Sequence, residues 1–343
     1  MRNGRFRLAM LAALAPLGSV AVAAGVAYAA SRPRPDLPEA QMPIPPSRLP
    51  RARIEYVPGV GELFLRDSGG DPDRPVVLLL HGWMLDADVN WFTCYEPLSE
   101  IARVVALDHR GHGRGLRPSK PFRLVDAADD AAALLRHLGS PPVVAVGYSM
   151  GGAVAQLLWR RHPDLVRGMV LCATSAAFNV DARDRWTWRL MGVLQLGLRL
   201  VPRHWWERML MRQAAGSRVR ITRMLPSPAP VETAALIPWV MSELDRDSAE
   251  DVAEAGRELS RFDARGWIGS VDVPCGVLIT TEDVLVPVRN QRDLARRVPT
   301  AMVQELPLDH DAVAAAPEQF VPALRKAIEQ VVADGDSTGR PTL

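Results

Sequence analysis

The chain has 343 residues, 48% of them hydrophobic and 23% charged, with a formal net charge of +2. That length allows a full buried core in one large domain or one and a half, and so small a net charge excludes bulk nucleic-acid electrostatics. The three cysteines, Cys94, Cys172 and Cys275, are scattered and odd in number. No Cys-x-x-Cys or His-Glu-x-x-His is present, so they read as small buried hydrophobes, not as a disulfide framework or a metal site.

Arg2, Arg5 and Arg7 precede an uncharged apolar run over residues 8–30. Its length suffices to span a bilayer, and it is also compatible with a signal peptide ending at Ala27-Tyr28-Ala29. Residues 31–50 hold seven prolines and read as a stiff, extended linker. A spacer suits a tethered domain. Residues 1–30 are therefore read as a membrane anchor, with membrane contact through residues 8–30, and a cleaved signal is the alternative. Both readings place the domain outside the cytoplasm.

From residue 51 onward the elements alternate. Residues 61–66 and the stretch before them read as a hairpin. Continuous apolar runs at 76–80, 104–107, 143–146, 168–171 and 277–280 read as buried strands, with a last short strand at 302–306. Helical patterns lie at 90–99, 125–138, 153–160 and 317–332. Asp126, Asp129 and Asp130 sit near the start of the second, where they suit the helix dipole. Buried runs separated by helices indicate an α/β fold with a mostly parallel sheet covered on both faces. In such sheets the site lies at the carboxyl ends of the strands.

Residues 176–262 break the alternation. They offer four helical stretches, at 186–201, 204–213, 230–244 and 248–261, the last opening with a capping pair, Ser248 and Asp251. Five tryptophans fall here: Trp186, Trp188, Trp205, Trp206 and Trp239. Most are expected to pack the insert onto the core, and one or two to line an apolar pocket. An all-helical insert of this kind reads as a lid that excludes water.

The chemistry is carried by Gly147-Tyr148-Ser149-Met150-Gly151, which follows an apolar run and precedes a helical one. A strand, a sharp turn and a helix lift the serine hydroxyl clear of the sheet, where it can attack a carbonyl if a base adjoins it. Of the seven histidines, His310 follows the last strand and is the best base. His81, His109 and His112 lie in glycine-rich turns, His137 and His162 at helix ends, and His204 in the insert. Asp283 follows the strand at 277–280 and is the orienting acid, with its neighbour Glu282 as the fallback. Asp272 precedes that strand, at the wrong end. Asp108 reads as a brace for the turn His109-Arg110-Gly111-His112-Gly113, which lacks the glycine spacing and following helix of a dinucleotide site. The backbone N–H groups of Trp83 and Met150 are the expected oxyanion donors, and His81 is expected to brace the loop that carries Trp83.

Together these motifs resemble the α/β-hydrolase fold superfamily. The set is His81-Gly82-Trp83, Asp108-His109-Arg110-Gly111-His112-Gly113, Gly147-Tyr148-Ser149-Met150-Gly151-Gly152, Asp283 with Val286-Pro287, and His310. The order Ser, Asp, His is that of the family. The resemblance covers about residues 51–335. It implies an eight-stranded sheet with helices on both faces, built from residues 51–175 and 263–335, a helical cap at 176–262, and a flexible tail at 336–343. Ser149 stands where related dehalogenases and epoxide hydrolases carry an aspartate, which disfavours those activities. Two positions depart from the family pattern. Asp309 replaces the common glycine before the histidine, and a carboxylate there is expected to raise the imidazole pKa. Gly115 replaces the common serine after the Gly-His-Gly turn.

The expected function is hydrolysis of a carboxylic ester, from a small molecule or a lipid, through Ser149, His310 and Asp283, with no metal or cofactor. Met191, Met209, Met211 and Met241 in the insert suggest an apolar acyl or alcohol group. The rivals are perhydrolysis of the cofactor-free haloperoxidase type or acyl transfer with the same triad, and ligand binding with a vestigial triad. The sequence carries no signal for an oligomeric state.

Overall fold

The apolar runs become the centre of the sheet. In the computed structural model, which describes residues 45–117, 120–181, 236–244, 246–247 and 249–337, the strands β3 (Val76–Leu80), β5 (Val143–Tyr148) and β7 (Cys275–Thr280) are buried at every position. A strand covered on both faces needs that composition. With β1 (Arg51–Val57), β2 (Gly61–Asp67), β4 (Arg103–Leu107), β6 (Val166–Cys172) and β8 (Ala301–Leu306) they form one eight-stranded sheet, in the order β1-β2-β4-β3-β5-β6-β7-β8. The β1–β2 and β2–β4 pairs are antiparallel and all later pairs are parallel. At the far edge, β8 is only half-buried.

The period-2 alternation of the strands feeds two separate cores. Leu78, Leu80, Val143 and Ala145 face the layer formed by α3 (Leu124–His137), α4 (Met150–Arg161) and α7 (Val288–Arg297). Their neighbours Val77, Leu79, Val144 and Val146 face α1 (Ala87–Trp91), α2 (Tyr95–Ser99), α8 (Ala312–Ala315) and α9 (Pro317–Ser337). Cys94, Cys172 and Cys275 are all free and buried, as their apolar settings suggest.

Between β6 and β7 the described residues contain α5 (Ile237–Leu244) and α6 (Ala249–Leu259). Trp239 packs its ring edge-on against Phe92, with centroids 5.8 Å apart, and is buried against the core. The helical stretches expected at 186–201 and 204–213, with the other four tryptophans of the insert, lie outside the described residues, as do Ser248, Met191, Met209 and Met211.

Two helices differ from their expected bounds. The helix expected at 90–99 is two short helices, α1 and α2, separated at 92–94. The side chain of Asp86 starts α1 early by accepting the Val89 N–H at 2.7 Å. The closing helix runs on to Ser337, two residues into the expected tail, and Asp336 there pairs with Arg167 on β6. The aspartates of α3 do more than face a dipole. Arg110 grips Asp130 with two nitrogens at 2.7 and 2.6 Å, and Asp129 holds Arg161 and His162. No helix among the described residues is long and apolar enough to cross a membrane; the run at 8–30 is not among them.

Candidate active site

Ser149 lies where β5 turns into α4, with φ 53° and ψ −115°. That positive φ is a strained state for a residue with a side chain, of order 1–3 kcal/mol, and the surroundings hold it from several directions. The Ser149 N–H donates to the Cys172 carbonyl at 2.9 Å, and the Ser149 carbonyl accepts the Thr174 hydroxyl at 2.7 Å. The turn also needs the bare backbone at Gly151, where a Cβ would lie 2.0 Å from the Leu80 carbonyl oxygen.

The loops after β7 and β8 bring two further side chains to this turn. His310 Nε2 is 3.0 Å from Ser149 Oγ, and His310 Nδ1 is 2.8 Å from Asp283 Oδ2. In the neutral imidazole the Nδ1–H therefore donates to the carboxylate, leaving Nε2 to accept the serine hydroxyl. The Asp283 side chain is fully buried and its orientation is overdetermined. Oδ1 accepts the Leu285 and Val286 N–H groups at 2.9 and 2.8 Å, and Oδ2 accepts the Thr280 hydroxyl at 2.8 Å and the Gln291 amide at 3.0 Å. Glu282, the fallback acid, is exposed to solvent. Asp272 lies elsewhere and accepts the Trp159 indole N–H at 3.3 Å.

Two supporting residues had escaped the sequence reading. Gln291, buried on the first turns of α7, also donates to the Val286 carbonyl at 2.9 Å and so fastens the acid loop to the helix that follows it. Tyr148 donates its hydroxyl to the His310 carbonyl at 2.6 Å and packs against the imidazole, with centroids 5.7 Å apart. Burial pushes the pKa of that phenol well above its ordinary value, so it stays a donor. Tyr148 precedes Ser149 in the motif and could have been suspected. Gln291 carried no such mark.

On the other side of Ser149 lies the loop after β3. A Cβ at Gly82 would sit 3.5 Å from the Ser149 Cβ, which places the backbone leading to Trp83 directly beside the serine. Met150 is the first residue of α4, where helix N–H groups have no intrahelical acceptor. The Gly82 N–H is fixed on Asn90 Oδ1 at 2.8 Å, and the Trp83 indole N–H donates to the Val252 carbonyl of α6 at 2.6 Å. His81 braces the loop: its Nδ1–H donates to the Gly82 carbonyl at 2.8 Å and its Nε2 accepts the His109 N–H at 2.9 Å. Burial lowers its pKa to about 4, which keeps Nε2 free to accept. Asp108 braces the glycine turn, accepting the Ala87 N–H at 2.9 Å and the Arg114 N–H at 2.8 Å. His109 and His112 stay buried beside His81, and His137 and His162 pair with Glu55 and Asp129. Among the described residues no cluster of His, Cys, Asp and Glu is arranged to hold a metal ion.

Residues 75–314 match the family model described as alpha/beta hydrolase fold. The chain belongs to the α/β-hydrolase family. It is 30% identical, over 78% of its length and 98% of the relative's, to pimeloyl-(acyl-carrier protein) methyl ester esterase of Chromobacterium violaceum. A shorter stretch of 103 residues is 37% identical to a bifunctional esterase/perhydrolase of Acinetobacter calcoaceticus, covering 30% of this chain and 37% of that one. Among solved structures, a thermophilic esterase from Thermogutta terrifontis is 25% identical with a TM-score of 0.62, covering 82% of this chain and 99% of that one. The two departures from the family pattern, at Gly115 and Asp309, each have a local setting in the structure. At Gly115 a Cβ would lie 2.2 Å from the His109 carbonyl oxygen, so the tight turn leaves no room for the common serine. At position 309 the carboxylate is turned onto backbone N–H groups of Val284 and His310.

Proposed function

We propose that this enzyme hydrolyses carboxylic esters through Ser149, His310 and Asp283. The observation that carries the reading is the continuous hydrogen-bonded chain from Ser149 Oγ through His310 to a buried Asp283. Ser149 Oγ attacks the acyl carbonyl while His310 Nε2 takes its proton. Asp283 holds the imidazole in the required tautomer and stabilises its charged form. The oxyanion forms toward the N–H groups of Trp83 and Met150, donors fixed before the reaction starts. His310 returns the proton to the leaving alcohol. Water, deprotonated by the same imidazole, then attacks the acyl-enzyme and releases the acid and the free serine.

The apolar acyl or alcohol group is inferred from the Trp- and Met-rich composition of the insert at residues 176–262. The test is turnover of p-nitrophenyl esters of increasing chain length. Ser149→Ala is expected to lower kcat by at least about 10³-fold, and undiminished turnover in that variant would overturn the assignment.

A second reading, perhydrolysis, is favoured by the likeness to the esterase/perhydrolase. Hydrogen peroxide would replace water at the acyl-enzyme, giving a peracid and the free serine. Peracid formation from a short carboxylic ester and peroxide measures it directly. The run at residues 8–30 supports an exported domain tethered to the membrane through that segment.

A further inference from the structure

The parallel ladder between β7 and β8 continues past the strand ends. The Thr281 N–H donates to the Leu306 carbonyl at 2.8 Å and the Glu282 N–H to the Leu308 carbonyl at 3.1 Å. At the next rung the acceptor is a side chain. Asp309 Oδ1 accepts the Val284 N–H at 3.1 Å, and the same oxygen accepts the His310 N–H at 2.7 Å. One carboxylate oxygen thus joins the residue after Asp283 to His310 itself. A glycine, the residue common at this place in the resemblance described above, has no atom that could do so.

We propose that Asp309 is a positioning residue whose carboxylate latches the acid loop to the base loop and so sets the approach of Asp283 to His310. The inference rests on the Ser149–His310–Asp283 reading given above. Three features make the latch consequential. Val284 and Leu285 are largely exposed, so the tip of the acid loop gains little from apolar packing. The ties from Thr280, Gln291, Leu285 and Val286 run within the acid loop or to α7. The backbone bonds to Leu306 and Leu308 end at Glu282, so past that residue the Asp309 carboxylate joins the acid loop to the base loop beside the Asp283–His310 bond itself. On its far side, His310 is held by Tyr148 through its carbonyl, which leaves its N–H end to Asp309. Loss of the latch lets the two loops drift apart while the substrate-binding surfaces stay in place.

The experiment compares the full chain with its Asp309→Gly, Asp309→Ala and Asp309→Asn variants. The readouts are ester kcat and KM, and the rate of Ser149 labelling by a fluorophosphonate probe. Misplacing a catalytic group by an ångström can cost up to about 100-fold, so Asp309→Gly and Asp309→Ala are expected to lose roughly 10-fold in kcat and in labelling rate, with KM within about twofold. Asp309→Asn keeps an oxygen acceptor in the same place and is expected to recover both rates to within about threefold. Thermal melts of all variants separate this from unfolding, and if one truncation fails to fold the other carries the comparison. Unchanged kcat and labelling in the truncations would overturn the latch, as would a loss confined to KM, or an Asn variant as slow as Ala. A Ser149→Ala control separates the two levels. If it still labels at the unmodified rate, the triad reading falls and the latch with it; if its labelling is lost while the Asp309 variants are unaffected, the latch alone falls.

Discussion

The residues that matter here were chosen by position in the fold more than by type. Ser149 is strained because it must cross from β5 to α4 in one step, and the Cys172 carbonyl and the Thr174 hydroxyl hold it there. Gly115 shows the same dependence on backbone approach. Although serine is the commoner residue at this place in the family pattern, Gly115→Ser is expected to cost roughly 1–3 kcal/mol, through the close approach of its Cβ to the His109 carbonyl. Thermal unfolding measures it, and an unchanged melting temperature would show that the turn has slack. The nucleophile, base and acid candidates were legible in the sequence because each follows a strand whose apolar run announces it. Gln291 and Asp309 were not. Their partners lie across loops, and the hydrogen bonds that define them follow no sequence period. The carboxylate at 309 was expected to act on the imidazole through its charge, whereas in the structure it accepts backbone N–H groups.

Among the elements, α5 and α6 dock onto the loop after β3 and the glycine-rich turn after β4. Asp247, between them, accepts the Gly113 N–H at 2.6 Å, and Glu254 on α6 accepts the Phe122 N–H at 3.1 Å. Trp83 reaches the Val252 carbonyl and packs on Gly256, where a Cβ would lie 2.6 Å from its ring. The insert therefore bears on the loop that carries Trp83. Burial raises the Asp247 pKa to about 7, against an ordinary value of 3.8. The folded state then binds more protons than the unfolded one between those values, so this group lowers stability progressively as pH rises from about 4 through about 7. Asp247→Asn keeps the oxygen that accepts Gly113 and cannot ionise. It is expected to be more stable than the unmodified chain at pH 8 and equal to it near pH 4, read by denaturant unfolding at both values. A difference independent of pH would mean that folding leaves the Asp247 pKa near its ordinary value. The buried strands and the helical layers on both faces could be anticipated from apolar runs and periodicity, whereas the strand order is a tertiary feature that those runs do not carry. Helix ends were less legible, because caps such as Asp86 and pairings such as Asp336 with Arg167 are tertiary contacts.

At the scale of the molecule, one mostly parallel sheet carries Ser149, Asp283 and His310 on three loops at its carboxyl edge, where open α/β sheets place their sites. The two cores on either side of that sheet hold the loops in register without any help from disulfides, since all three cysteines are free. The N-terminal run lies ahead of this unit in the chain. The full-length protein is expected to stay in the membrane fraction through a carbonate wash, with its folded domain accessible to protease from outside the cytoplasm. Recovery in the cytosol with an intact N-terminus would contradict the tether. The central claim is that Ser149 is an activated nucleophile. Fluorophosphonate labelling of the full chain and of its Ser149→Ala variant tests it most directly. Labelling of the unmodified protein that disappears in Ser149→Ala is the expected result; a folded unmodified protein that does not label, or a variant that labels as well, would contradict it.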